Sequence, residues 1–305
     1  MPSIRSHLLK MLLKREIRKT SHRPFSQCRT LMDRQVRLFK NASGVSQSSE
    51  SVGGRDAQWL IPERAALDAA VLYLHGGAYV SGSISSHRAL ASHIAKASQV
   101  RVLLLDYRLA PEHPFPAALD DAVTAFEWMQ SELGLQPNRI VIAGDSAGGG
   151  LSLATALRIR NSGRPLPRAL VALCPWTDLT CGGESYQTLR HRDPFFPTAD
   201  RLQQAALEYA DQTPLNHPQV SPRFADLRWL PEIYIQVGSD EVLLSDSVDL
   251  ANQATKAGVK VRIEEWQGMW HVWQAFCDWM PESREAISRI GNFIKDALTR
   301  DAESR

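Results

Sequence analysis

Short, nearly unbroken apolar runs separated by longer stretches of helical periodicity constrain this chain most. Val71-Leu72-Tyr73-Leu74, Val102-Leu103-Leu104-Leu105, Ile140-Val141-Ile142-Ala143, Ala169-Leu170-Val171-Ala172-Leu173 and Ile233-Tyr234-Ile235-Gln236-Val237 are the runs. Continuous hydrophobicity over so few residues suits parallel strands covered on both faces. Val261 to Trp266 alternates more and suits an edge strand. Helical patterns fall between them at His87–Ser98, Ala117–Leu133, Leu151–Arg160, Ser245–Ala257 and Ser283–Leu298. This rhythm predicts a doubly wound α/β sheet. A chain of 305 residues is long enough to bury its core.

Two regions break the rhythm. Asn41 to Arg55 is rich in Ser and Gly and reads as a linker or mobile loop. Thr177 to Arg223 carries Gly, Pro, aromatic residues and one helical piece, Ala199–Ala210. It reads as an insertion over the C-terminal edge of the sheet, where ligands bind in such folds. Charge is also uneven: residues 1–40 hold eleven Lys or Arg against two acids, in a chain of net charge +2. From Met1 to Thr20, residues Ile4, Leu8, Met11, Leu12 and Ile17 have an approximately helical spacing. Such a helix suits a cap packed by its apolar stripe, a membrane surface or an organelle-targeting peptide. No apolar run approaches the ~18 residues of a spanning helix, so stable membrane insertion is not expected. A secretory signal and a nucleic-acid partner are not expected either. Cys28, Cys174, Cys181 and Cys277 show no framework spacing and read as reduced thiols of a cytoplasmic enzyme. No metal-binding motif is present.

Gly144-Asp145-Ser146-Ala147-Gly148 lies between a strand and a helix, as a nucleophile elbow does. A neutral hydroxyl needs a general base, and His271 is the one histidine after residue 217. It sits in a loop after the last strand candidate. The base in turn needs a carboxylate to fix its tautomer. Gly238-Ser239-Asp240-Glu241 follows a strand end and offers two, Asp240 and Glu241. Successive side chains there point in different directions, so one reaches His271 and the other is solvated. His75-Gly76-Gly77-Ala78 also ends a strand, and its backbone can approach a substrate closely. Such a loop can present oxyanion N–H donors, partnered by the N–H of Ala147 after the nucleophile. Trp176, Trp270 and Trp273 stand near the expected mouth, where they either narrow the pocket or pack under a cap.

With Asp106-Tyr107-Arg108-Leu109-Ala110-Pro111-Glu112 through Asp120 and Gly268-Met269-Trp270-His271, these motifs resemble the hormone-sensitive-lipase-like α/β-hydrolases, the bacterial family IV esterases. The resemblance runs from about residue 70 to 295. It implies one α/β-hydrolase domain with an eight-stranded, mostly parallel sheet. It also implies a helical cap from about 1–52 and 177–223 over a core of about 53–176 and 224–300. The implied activity is hydrolysis of short- to medium-chain acyl esters by Ser146, His271 and an acid, without metal or cofactor. A dimer through the edge strand is implied too. His-Gly-Gly-Ala replaces the family's His-Gly-Gly-Gly; by analogy its first two glycines, Gly76 and Gly77, carry the oxyanion donors and Ala78 matters little. The family's Gly-x-x-Asp register falls on Glu241, which favours it; Asp240 needs a one-residue shift. The charges of the Tyr107–Asp120 segment would brace the loop near the elbow. The same machinery can open lactones or cleave amides, and members lacking a triad residue act as ligand receptors; here all three residue types are present.

Overall fold

A computed structural model describes residues 2–20, 23–35, 38–196 and 200–300. Eight strands form one sheet: β1 (Val45–Val52), β2 (Arg55–Pro62), β3 (Ala66–Leu74), β4 (Val100–Leu105), β5 (Ile140–Asp145), β6 (Ala169–Leu173), β7 (Glu232–Gly238) and β8 (Val261–Trp266). Their spatial order is β1-β2-β4-β3-β5-β6-β7-β8. Only β2 runs against the others. Each apolar run of the sequence lies in a strand, and β8 is the outer strand at its end of the sheet.

The principal helices are α1 (Ile4–Thr20), α2 (Phe25–Gln35), α3 (Ile84–Ser98), α4 (Ala117–Ser131), α5 (Ala147–Asn161), α6 (Ser185–Thr188), α7 (Asp200–Ala210), α8 (Leu244–Lys256) and α9 (Pro281–Thr299). Alternate residues of each central strand enter different cores. Ala70, Leu72 and Leu74 join α4, α5 and α8 on one face. Ala69, Val71 and Tyr73 join α3 and α9 on the other. Burial on both faces is why these strands read as unbroken apolar runs.

Two expectations are corrected. The Asn41–Arg55 segment is not a linker: it holds β1, which pairs with β2 along its full length. The cap therefore cannot extend to residue 52. Gly53 and Gly54 turn this hairpin with φ of 58° and 77°, the backbone of a tight primed turn. β1 lacked a sequence signal because, as an edge strand, it buries only Val52 fully. The second concerns α2, which falls within the expected helical cap although no separate helix was placed at Phe25–Gln35. Of the expected helices, Met1 and Ala199 lie outside the described residues, as do 21–22, 36–37 and 197–199 of the expected cap. No helix among the described residues is long and apolar enough to cross a membrane.

Candidate active site

The strand order reverses beside β3, with β4 on one side and β5 on the other. Ligands bind outside the carboxyl ends of strands at such a switch point. Leu74 pairs with Gly144 there, which brings the His75–Ala78 loop beside the Ser146 turn despite their separation in sequence. Ser146 has φ 54° and ψ −122° immediately before α5. Such a conformation costs a non-glycine residue about 1–3 kcal/mol and persists where packing enforces it. The turn admits no side chain at Gly148, where a Cβ would meet the Leu74 carbonyl.

Ser146 Oγ lies 2.9 Å from His271 Nε2. His271 Nδ1 faces Glu241 Oε1 at 3.7 Å, an ion-pair distance rather than a hydrogen bond. Glu241 is fully buried, and its second oxygen accepts the Gly238 N–H at 3.1 Å. Burial disfavours an imidazolium at His271, but Glu241, aided by Asp193, outweighs this and raises its pKa. The two acidic neighbours have opposite fates. Asp240 turns away from the site to Lys10 of α1 and lies 3.5 Å from Arg192, so with its side chain 18% exposed it is ion-paired under α1 rather than solvated as expected. Backbone bonds decide this: the Asp240 N–H donates to Met269 O (2.9 Å) and the Ser239 N–H to Trp266 O (3.0 Å). They clasp the acid turn to the histidine loop and leave Glu241 pointing inward.

The oxyanion expectation requires revision at Gly76 and at Ala78. The Gly76 N–H donates to Asp145 Oδ1 at 3.1 Å and so is already engaged. Gly76 is also absent from the cavity wall, whereas Gly77 and Ala78 line it. Among the described residues, the N–H groups of Gly77, Ala78 and Ala147 donate to no protein acceptor. Gly77 has φ 124°, and a Cβ there would strike the Ser81 carbonyl, so the loop needs glycine at this point. Ala78 follows at φ 55°.

A buried polar network holds this loop. Asp145 accepts from Tyr73 Oη (2.8 Å) and faces His87 Nε2 at 3.3 Å. Burial alone would raise the Asp145 pKa; these partners hold it low. Tyr107 donates to the His75 carbonyl at 2.6 Å and its ring stacks on the His75 ring. Burial, with His87 nearby, lowers the His75 pKa to about 3, so that ring is neutral. Arg108 forks onto Asp121 at 2.7–3.0 Å. Within the Tyr107–Asp120 segment the brace on the loop is thus the uncharged Tyr107 hydroxyl; the charges of Arg108, Glu112 and Asp120 pair with Asp121, Arg29 and Arg158 instead.

A cavity of about 340 Å³ opens beside Ser146 and His271. Ile17 of α1, Phe25, Leu31 and Met32 of α2, Phe39, Phe195, Phe196 and Phe276 make its wall largely apolar. Arg201 is its single Lys or Arg among the described residues, stacked 4.1 Å from the Phe25 ring centroid. Trp176, Trp270 and Trp273 are fully buried and pack beneath the site rather than lining it.

Asp193, Cys174 and His87 had no sequence signal. Asp193 accepts the N–H groups of Phe195 (2.9 Å) and Val242 (3.1 Å), and burial pushes its pKa up to about 6. Cys174 Sγ lies within 4.8 Å of Glu241 and His271. Burial and the Glu241 charge raise the thiol's pKa, so it remains protonated there. Cys28, Cys174, Cys181 and Cys277 are all free.

Residues 71–275 match a family of the alpha/beta hydrolase fold. The chain belongs to this family. Within the α/β-hydrolases it falls in the hormone-sensitive-lipase-like branch. An acetyl-hydrolase of Streptomyces hygroscopicus is 44% identical over 269 residues, 88% of this chain and 89% of that protein. An esterase of Acinetobacter venetianus is 35% identical over 267 residues, covering 87% of each. The crystal structure of an esterase from the bacterial hormone-sensitive lipase family superposes with TM-score 0.93 at 39% identity, covering 98% of this α/β-hydrolase and 100% of that chain.

Proposed function

We propose that this α/β-hydrolase cleaves carboxylic esters of short- to medium-chain acids, with Ser146 as nucleophile, His271 as base and Glu241 as its orienting acid. One observation carries the reading: a serine hydroxyl 2.9 Å from a buried imidazole nitrogen, at the wall of an apolar cavity. His271 takes the Ser146 proton as Oγ attacks the ester carbonyl. Glu241 stabilises the imidazolium, and the N–H groups of Gly77, Ala78 and Ala147 receive the developing oxyanion. His271 then protonates the departing alcohol. A water deprotonated by the same nitrogen attacks the acyl-enzyme, releasing the acid and restoring Ser146.

The cavity of about 340 Å³ is near the lower end of ligand-pocket sizes, which supports short acyl chains. α1, α2 and the 177–223 insertion act as the cap that limits it. Relatives named as esterases and an acetyl-hydrolase support the reaction class. Four free cysteines favour work in a reducing compartment, the cytoplasm. Ser146→Ala is expected to lower turnover of p-nitrophenyl butyrate by at least about 10⁴-fold and to abolish labelling by a fluorophosphonate. Retained turnover would remove Ser146 from the mechanism.

A further inference from the structure

α1 carries two apolar stripes. On the inner one, Leu9 and Leu13 pack on the cluster of Trp270, Trp273 and Phe276, and Ile17 reaches the cavity. On the outer one, Ile4, Leu8, Met11 and Leu12 are 80%, 53%, 61% and 59% exposed. Their spacing of four, three and one places them on one face of the helix. That face continues into the exposed Arg15, Arg18 and Lys19, and Arg5 flanks it. Glu16 is the helix's single acid and pairs with Lys19. Among the described residues, Arg5, Arg15 and Arg18 have no ion-pair partner. An exposed apolar stripe bordered by cations marks a binding surface rather than ordinary solvated helix.

We propose that the outer face of α1 docks the protein onto an anionic lipid surface. Ile4, Leu8, Met11 and Leu12 enter the boundary between headgroups and acyl chains, while Arg5, Arg15, Arg18 and Lys19 meet lipid phosphates. Charge selects this occupant. The face holds four cations and one acid, an imbalance that a second copy on the same face would double and an anionic surface neutralises. With 17 residues and this charge content, α1 lies on the surface rather than through it. The same helix forms part of the cavity wall, so docking sets the ester site beside the lipid.

Sedimentation of the full chain with vesicles tests this. Vesicles of phosphatidylcholine mixed equally with phosphatidylglycerol are expected to carry the protein down. Binding should fall about tenfold or more with phosphatidylcholine alone or in high salt. Leu8→Glu/Met11→Glu and Arg15→Glu/Arg18→Glu should each lose binding by a similar factor. Both should keep wild-type turnover of p-nitrophenyl butyrate, which establishes that they fold. Wild-type protein left in the supernatant overturns the proposal, as does equal binding to neutral vesicles or unchanged binding by Leu8→Glu/Met11→Glu. So does a dimer abolished by the same substitutions without vesicle binding, which would make the face an interface between copies.

Discussion

Beneath the cavity, Asp145, His75 and Tyr107 are buried, Tyr107 bonds the His75 carbonyl, Asp145 accepts from Tyr73 and the Gly76 N–H, and Ser146 is held at positive φ. Above it, α1 and α2 are half-exposed helices fastened at separate points. Ser3 donates to Glu282, Lys10 pairs with Asp240, and Arg29 bonds Val80 O, Ala110 O and Glu112. Floor and roof therefore constrain different things. The floor holds the nucleophile and the loop beside it through buried hydrogen bonds, as transition-state stabilisation requires. The roof has few anchors and a second apolar face, which suits contact with something beyond the substrate.

The neighbours Asp240 and Glu241 give the sharpest test, because one side chain faces each region. Glu241→Gln is expected to lower kcat by about 10³–10⁴-fold, as loss of a triad acid does. Asp240→Asn loses only a partly exposed ion pair and should stay within a few-fold of wild type. Steady-state kinetics in which Asp240→Asn showed the larger loss would reverse the assignment.

The next effect concerns the loop brace. Asp145→Asn places an amide where three donors converge, so it should shift the Gly77 and Ala78 N–H groups. We expect kcat to fall about 10–10²-fold, with KM changed little. An unaltered kcat would mean that the loop holds its shape without Asp145.

Acidity offers a smaller effect. In the proposed mechanism His271 must be neutral to accept the serine proton, and its pKa is raised by Glu241 and Asp193 against the cost of burial. kcat/KM should therefore rise with pH through an inflection above the ordinary histidine value of about 6.5. Asp193→Asn should move that inflection to lower pH without changing the plateau. An unmoved inflection would show that the Asp193 charge does not reach the base.

The smallest effect falls on the seam where the 177–223 insertion leaves the floor. Asp246 accepts the N–H groups of Thr177 and Asp178, each at 2.8 Å, and burial pushes its pKa up to about 8. Its unfolded value is about 3.9, so the folded state retains a proton that the unfolded state releases between these values. Stability from this group is thus complete at low pH and is lost as pH rises towards 8. Asp246→Asn keeps the acceptor oxygen and should flatten the fall of Tm over that window, measured by thermal denaturation.

Much of the floor was legible because its signals are local. Ile140–Ala143 reads as a buried strand from composition, and Gly144–Gly148 reads as a tight turn from its small residues. The edge strand β1 escaped notice because a strand with water on most sides needs little hydrophobicity. Gly76 was misjudged for a different reason. Nothing in His75-Gly76-Gly77-Ala78 reveals that Asp145, a residue of another strand, takes the first glycine's N–H.

By itself, the sequence determined the α/β alternation, the hydrolase family, the serine turn and its single downstream histidine. These follow from periodicity, side-chain size and residue type, which are properties of short segments. The tertiary structure alone decided which acid faces His271, which N–H groups remain unengaged and which face of α1 meets solvent. Each depends on where a hydrogen-bond partner or packing surface arrives from a distant part of the chain. The Asp240–Met269 backbone bond shows why: a contact between two loops turns one carboxylate inward and its neighbour outward.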